Sequence, residues 1–227
     1  MQLARSPSLS PPRRTAAPRL GIILAVAVLG ACASAARPAP LTPTAPTAPT
    51  VEAGAACDVR QGQILHDADA RAAPYSTAQH LAKNFADGKV SWLMTDAAYQ
   101  KFVVATGAKK WGRCNDTGCY VFVAPAQVIH DAVAAARTGD HHDPAALGKA
   151  LGLPPTSFEG PLRLMTLELA AAAACARLPV DDDPGVWKCK TPDDKDCFKF
   201  GGYTSGGVPE LIVIDAPVER TTIEPVP

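Results

Sequence analysis

The chain lacks a net charge. Its 227 residues carry 22 Lys and Arg against 22 Asp and Glu. No basic stripe runs through it, so a nucleic-acid partner is not indicated. It also lacks an apolar run long enough to cross a bilayer, which takes about 20 residues; the core of its main apolar stretch is only Leu20–Leu29. Aromatic residues are scarce at 6%, and none occurs before Tyr75. The first 56 residues therefore hold too little apolar surface to build a core. No internal repeat is present. Neither G-x-G-x-x-G nor a Walker A pattern occurs, which removes the specific nucleotide motifs, and there is no G-x-S-x-G nucleophile elbow. The acidic runs Asp181-Asp182-Asp183 and Asp193-Asp194-Lys195-Asp196 lack EF-hand spacing and read as solvated loops. No cofactor and no metal is expected.

What is present is unevenly distributed. Residues 1–56 contain five Arg and one Glu, whereas residues 57–227 contain 17 basic and 21 acidic side chains, a net charge of −4 with His neutral. Arg5, Arg13, Arg14 and Arg19 precede the Leu20–Leu29 stretch, and Leu29-Gly30-Ala31-Cys32 follows it. A positive region, a short apolar core and small residues before a cut make a signal peptide. The last four residues resemble the bacterial lipobox. That resemblance implies a diacylglyceryl group on the Cys32 thiol and cleavage that leaves Cys32 first, so the membrane is the first expected partner. The competing reading is an ordinary secretory signal cut near Ala33 or Ala35. Arg13-Arg14 invites a twin-arginine reading, but Thr15-Ala16-Ala17 lacks the apolar residues that usually follow. Ala33, not Asp, follows the lipid Cys, so the outer membrane is the expected envelope site in a cell with two membranes.

Residues 32–56 then form a lipidated Cys and a Pro/Ala/Thr-rich linker, ASAARPAPLTPTAPTAPTVEAGAA after Cys32. Such a segment favours extended polyproline II and reaches roughly 3 Å per residue. Residues 57–227 have globular composition and suffice for one sizeable core. Six Cys remain there: Cys57, Cys114, Cys119, Cys175, Cys189 and Cys197. An even number in an exported domain indicates disulfides. Cys114–Cys119 closes a turn-rich hexamer, Cys189–Cys197 spans the polar loop KTPDDKD, and Cys57–Cys175 would tie the start of the domain to its middle. The alternative, a structural zinc site, is disfavoured because no CxxC occurs.

Helical spacing and caps predict helices from Ser76 to Gly88, from Thr95 or Asp96 to Ala105, after Pro125, and from Asp143-Pro144. The Ala170–Ala174 run is read as structural. Strands are predicted at Val90–Met94, Tyr120–Ala124, Leu162–Leu167 and Leu211–Ile214, the last the most buried, with an edge strand at Thr221–Ile223. Helices prevail in the first half and strands in the second, which predicts a single disulfide-braced α+β domain.

The best candidate site is the loop Phe200-Gly201-Gly202-Tyr203-Thr204-Ser205-Gly206-Gly207-Val208-Pro209-Glu210. Paired glycines would let backbone approach a ligand and leave amides for an anion. Glu210, at the mouth of a strand, is placed as a general base would be. Tyr203, Thr204, Ser205 and Glu210 are therefore the candidate ligand or catalytic residues, against the plainer reading of a surface loop. Asp140-His141-His142-Asp143 reads as a polar connection between helices, His66 and His80 as isolated, and His130 as packed or solvated.

The stretches GGYTSGGVPE with the following Asp215-Ala216-Pro217, ALGLPPTSFEGPLRLMTLEL (150–169) and SWLMTDAAYQKFV (91–103) resemble C-terminal domains of bacterial polymorphic, contact-dependent toxins. Phe200 stands where a Pro often precedes the Gly pair, and Cys114–Cys119 replaces a cysteine-free turn. The resemblance carries no catalytic assignment to particular residues. It adds an envelope role derived from such a domain, or an immunity-type role, to the expectations. Three functions stay open: an anchored protein that binds a ligand or envelope protein partner, a toxin-related enzyme centred on Tyr203, Thr204, Ser205 and Glu210, and a structural envelope protein.

Overall fold

The computed structural model describes residues 52–180, 183, 202–204 and 206–226. Cys32, the linker as far as residue 51, Ser205 and the Cys189–Cys197 pair lie outside these residues.

Two helices open the domain. α1 (Val59–Ala72) starts where the Asp58 carboxylate accepts the Gln61 amide, and α2 (Thr77–Asn84) starts at a reciprocal capping box between Ser76 and Gln79. Such caps satisfy amides that a helix start leaves free, each contributing about 1 kcal/mol. Strand β1 (Lys89–Thr95) follows, then α3 (Asp96–Tyr99), which widens into a π-helical turn over Gln100–Val104. β2 (Arg113–Asn115) and β3 (Gly118–Pro125) form a hairpin. α4 (Ala126–Ala136) leads through the two-residue strands β4 (Arg137–Thr138) and β5 (His141–His142) to α5 (Pro144–Leu151). β6 (Leu162–Glu168), α6 (Leu169–Ala172) and β7 (Cys175–Arg177) come next, and β8 (Leu211–Ile214) and β9 (Thr222–Val226) close the described chain.

The main sheet runs β7-β8-β3-β1-β6-β9 with every pairing antiparallel, and β2 pairs with β3. The architecture is α+β, as expected. Helices prevail before β6 and strands from β6 onward, also as expected. β1 and β3 come from the first half and occupy the middle of the sheet, because their near-continuous apolar runs can be buried on both faces.

Side chains alternate across the sheet, and β6 shows how. Met165 and Leu167 join one core with Val90, Trp92, Val121, Val123, Leu211 and Val213, under Leu81 of α2 and Phe85 just after it. Leu162 and Leu164 join the other, under Ile129 of α4 and Leu147 and Leu151 of α5. Period-two alternation thus gives each face its own helices. β8 is buried throughout, with Leu211, Ile212 and Val213 fully inaccessible.

Among the described residues, two disulfides brace the fold. Cys114 and Cys119 face each other across the hairpin register, and Cys57 joins Cys175 over a sequence separation of 118. In the chain-entropy picture the long loop contributes roughly 4–5 kcal/mol and the short one about 2 kcal/mol. Beside the long bridge sits a buried polar chain. Tyr120 Oη and the Thr117 carbonyl each accept from Gln61 Nε2 at 2.9 Å, Arg177 Nε donates to Gln61 Oε1 at 3.0 Å, and Arg177 forks onto the Asp183 carboxylate at 2.7 and 2.5 Å. This mutual satisfaction lets a fully buried Arg sit inside the domain.

Candidate functional site

The glycine-rich loop folds into a tight corner before β8. The Thr204 amide donates to the Val208 carbonyl (2.8 Å), Gly207 to Thr204 (2.9 Å), and Glu210 to Gly202 (2.8 Å), while Tyr203 and Pro209 bridge. The Thr204 hydroxyl accepts from the Val208 amide at 3.2 Å and donates to the Leu151 carbonyl at 3.2 Å. These four amides and the Thr204 hydroxyl are therefore used within the protein. The expectation of amides free for an anion does not hold for them, and Thr204 acts here as a brace.

Gly202 and Gly206 serve the same inward purpose. A Cβ on Gly202, at φ +71°, would lie 2.5 Å from Leu178 Cδ2, 2.9 Å from His80 Nε2 and 3.0 Å from the Glu210 carbonyl oxygen. A Cβ on Gly206 would lie 2.6 Å from Gly152 Cα at the end of α5. Close approach is required, but to the protein itself.

What the corner approaches is a polar aromatic cluster on α2 that the sequence did not reveal. His80 is fully buried and not isolated. Its Nε2 lies 3.1 Å from the Glu210 carbonyl oxygen, which can only accept, so Nε2 carries the proton and Nδ1 is an acceptor. Tyr75 Oη lies 2.8 Å from that Nδ1, and Asn84 Nδ2 lies 3.1 Å from it. Asn84 Nδ2 also donates to Tyr203 Oη at 3.2 Å. Both Tyr rings meet the His80 ring edge-on, with centroids 5.6 and 5.2 Å away, and Lys83 Nζ stands 5.8 Å from the Tyr203 ring centre.

The electrostatics follow from burial first. Burial lowers the His80 pKa to about 4, leaving the ring neutral at physiological pH. Burial, helped by the Tyr203 contact, pushes the Tyr75 phenol up to about 12. Burial also raises Tyr203, but hydrogen bonds with Tyr75, Asn84 and Lys83 outweigh it and bring that phenol below its ordinary value. Glu210 is partly buried, and desolvation pushes its carboxyl up to about 7. Its carboxylate has no hydrogen bond or ion pair among the described residues.

Tyr203 and Glu210 thus keep chemistry of their own, whereas Thr204 does not, and Ser205 lies outside the described residues. Sequence reading missed Tyr75, His80, Lys83 and Asn84. The capping box at Ser76 was the available signal, because it places Lys83, Asn84 and His80 one turn apart on a single helix. A cavity of about 520 Å³ lies elsewhere, between α1 and the β2–β3 turn, with Arg60, Asp67, Asn115, Asp116 and Asp183 among its lining; neither Tyr203 nor Glu210 lines it.

The remaining polar candidates have structural duties. His142 is buried and its Nε2 donates to the Phe158 carbonyl at 2.7 Å, and the Asp143 carboxylate caps α5. The segment between α4 and α5 is a small hairpin as well as a polar connection. His130 is exposed on α4. No group of three His, Cys, Asp or Glu side chains able to hold a metal ion occurs among the described residues. No family model, no curated protein and no solved structure matches the chain.

Proposed function

We propose that the chain is an exported lipoprotein, anchored through lipid on Cys32, whose domain binds a ligand or protein partner in the cell envelope. The observation that carries the reading is a coincidence of three features. A lipobox-like signal stands first, a Pro-rich linker second, and a domain closed by Cys57–Cys175 and Cys114–Cys119 third. Such bridges persist in oxidising compartments outside the cytosol. Binding is favoured over catalysis because the amides of the glycine corner and the Thr204 hydroxyl are bonded within the protein. The face offered to a partner is the partly exposed patch of Tyr75, Asn84 and Tyr203 with the exposed Lys83. An immunity-type role fits this arrangement.

One observation favours an enzyme as the second reading. Glu210 holds an unpaired carboxyl that titrates near 7, as general bases do. A Glu210 carboxylate that processes substrate and a Tyr203 patch that holds a partner make different demands. Glu210→Gln abolishes the first and leaves the second intact.

The test is the intact mass of protein extracted from membranes, before and after reduction and alkylation. A species that starts at Cys32, carries acyl mass and gains six alkylation sites only on reduction is expected. A species cut elsewhere and free of lipid overturns the anchor. It makes this a secreted domain and moves the toxin-related enzyme ahead of the binding protein.

A further inference from the structure

One segment of the surface departs from the rest in both charge and hydropathy. Between Asp96 and Asp116 the chain has no acidic residue, yet it carries Lys101, Lys109, Lys110 and Arg113. The remainder of residues 57–227 has 13 basic against 21 acidic side chains, a net charge of −8. Among the described residues, the same segment holds the most exposed large apolar side chains beyond residue 60. Phe102 is 57% exposed and Val104 52%, on either side of Val103, which is buried. All three sit on the π-helical turn Gln100–Val104. Lys101 lays its ammonium 4.8 Å from the Phe102 ring centre. Lys110 alone among the cations has an acidic partner, Asp215 at 2.8 Å. Lys101, Lys109 and Arg113 are exposed.

We infer that this turn is a membrane-contact surface, in which Phe102 and Val104 enter the headgroup layer of an anionic phospholipid surface while Lys101, Lys109 and Arg113 lie against its phosphates. The inference rests on the proposed lipid anchor. Amphipathic surfaces with an aromatic beside lysines sit at the boundary of headgroups and acyl chains, and their binding combines buried apolar area with attraction to anionic lipid. Each Lys near such a surface adds about a fivefold preference for the docked state. That is weak for a free protein, but a tether makes docking intramolecular and raises the effective concentration of the surface. A fully extended chain of the length of residues 33–51 reaches roughly 60 Å at most, so it permits contact as readily as separation. The acidic remainder of the domain is repelled by the same lipid and would orient this turn toward it.

The experiment uses the acylated full-length mature protein carrying Phe102→Trp, reconstituted on vesicles of phosphatidylcholine with or without phosphatidylglycerol. Quenching of the added Trp by brominated lipid is read against the unsubstituted protein. Quenching is expected on anionic vesicles and not on neutral ones, with loss at high salt. Lys101→Gln with Lys109→Gln should lower the docked-to-free ratio on the order of twentyfold. Val104→Trp gives an independent probe should the first variant fold poorly. Equal quenching on both lipids, or none on either with both probes, overturns the inference, as does capture of this face by an acidic protein without lipid quenching. A protein that fails to stay with neutral vesicles lacks the anchor itself, whereas one that stays and shows no quenching is anchored without docking.

Discussion

The glycine corner at 202–210 and the basic turn at 100–113 are opposites. The corner has the composition of a ligand loop, and the structure turns its groups inward. Its amides bond to its own carbonyls, Thr204 ties it to Leu151, and Gly202 lets His80 reach the Glu210 carbonyl. The turn reads as an ordinary amphipathic helix, and the structure leaves Phe102, Val104 and three cations facing outward. Glycine content reports what backbone is able to do, not what it approaches. The difference lies in whether donors and apolar surface already have partners inside the protein.

The largest expected effect comes from breaking the inward contact. Gly202→Ala places a Cβ against Leu178, His80 and the Glu210 carbonyl at a positive φ, and should cost about 3 kcal/mol or more, seen as a lower denaturant midpoint at unchanged slope. Gly107→Ala, also at positive φ but with nothing within 4 Å, should cost only about 1 kcal/mol. Similar costs at both positions would mean that the corner is not packed as described.

A second expectation concerns pH. The Glu210 carboxyl ionises near its ordinary 4.5 in the unfolded chain and at about 7 in the fold. Between those values the folded state binds more protons, so stability falls as pH rises, by up to about 3 kcal/mol. His80 works in the other direction. It protonates near 6.5 when unfolded and at about 4 when folded, so its contribution grows as pH rises through that window, by a similar amount. The two windows overlap and largely cancel. Glu210→Gln removes one of them, and its stability should climb by about 2–3 kcal/mol from pH 4 to 6.5 and then level off. A flat profile for the variant would contradict the burial of His80 as a neutral ring.

The smallest expected effect is at the turn. Phe102→Ser and Val104→Ser should each change stability by less than about 0.5 kcal/mol, as exposed substitutions do, although both would weaken lipid contact. A thermal midpoint that drops by many degrees would show these side chains to be part of the core instead.

Much of the fold was legible because its elements carry strong local signals. The Ser76 cap, the Asp143-Pro144 start, the Cys114–Cys119 turn and the Leu211–Ile214 run each place an element, and Cys57–Cys175 is the pair that remains once Cys114 is set with Cys119 and Cys189 with Cys197. Helix α1 was not legible. Its buried side chains are Gln61 and Ala68, with Ile64 and Ala72 only partly buried against the core, and an inward face headed by a hydrogen-bonding Gln and a small Ala makes a weak apolar stripe. The site was half legible. Tyr203 and Glu210 stood out beside the glycines, but His80 and Asn84 acquire meaning only when α2 packs against a corner more than a hundred residues away.

Amide hydrogen exchange of the acylated protein on anionic and on neutral vesicles tests the membrane-facing role most directly. Slow exchange at Thr204, Val208 and Glu210 is expected on both surfaces, together with new protection confined to residues 100–113 on the anionic one. Protection that appears at 202–210 while 100–113 stays unchanged would contradict it, because the glycine corner would then be the surface that meets the membrane.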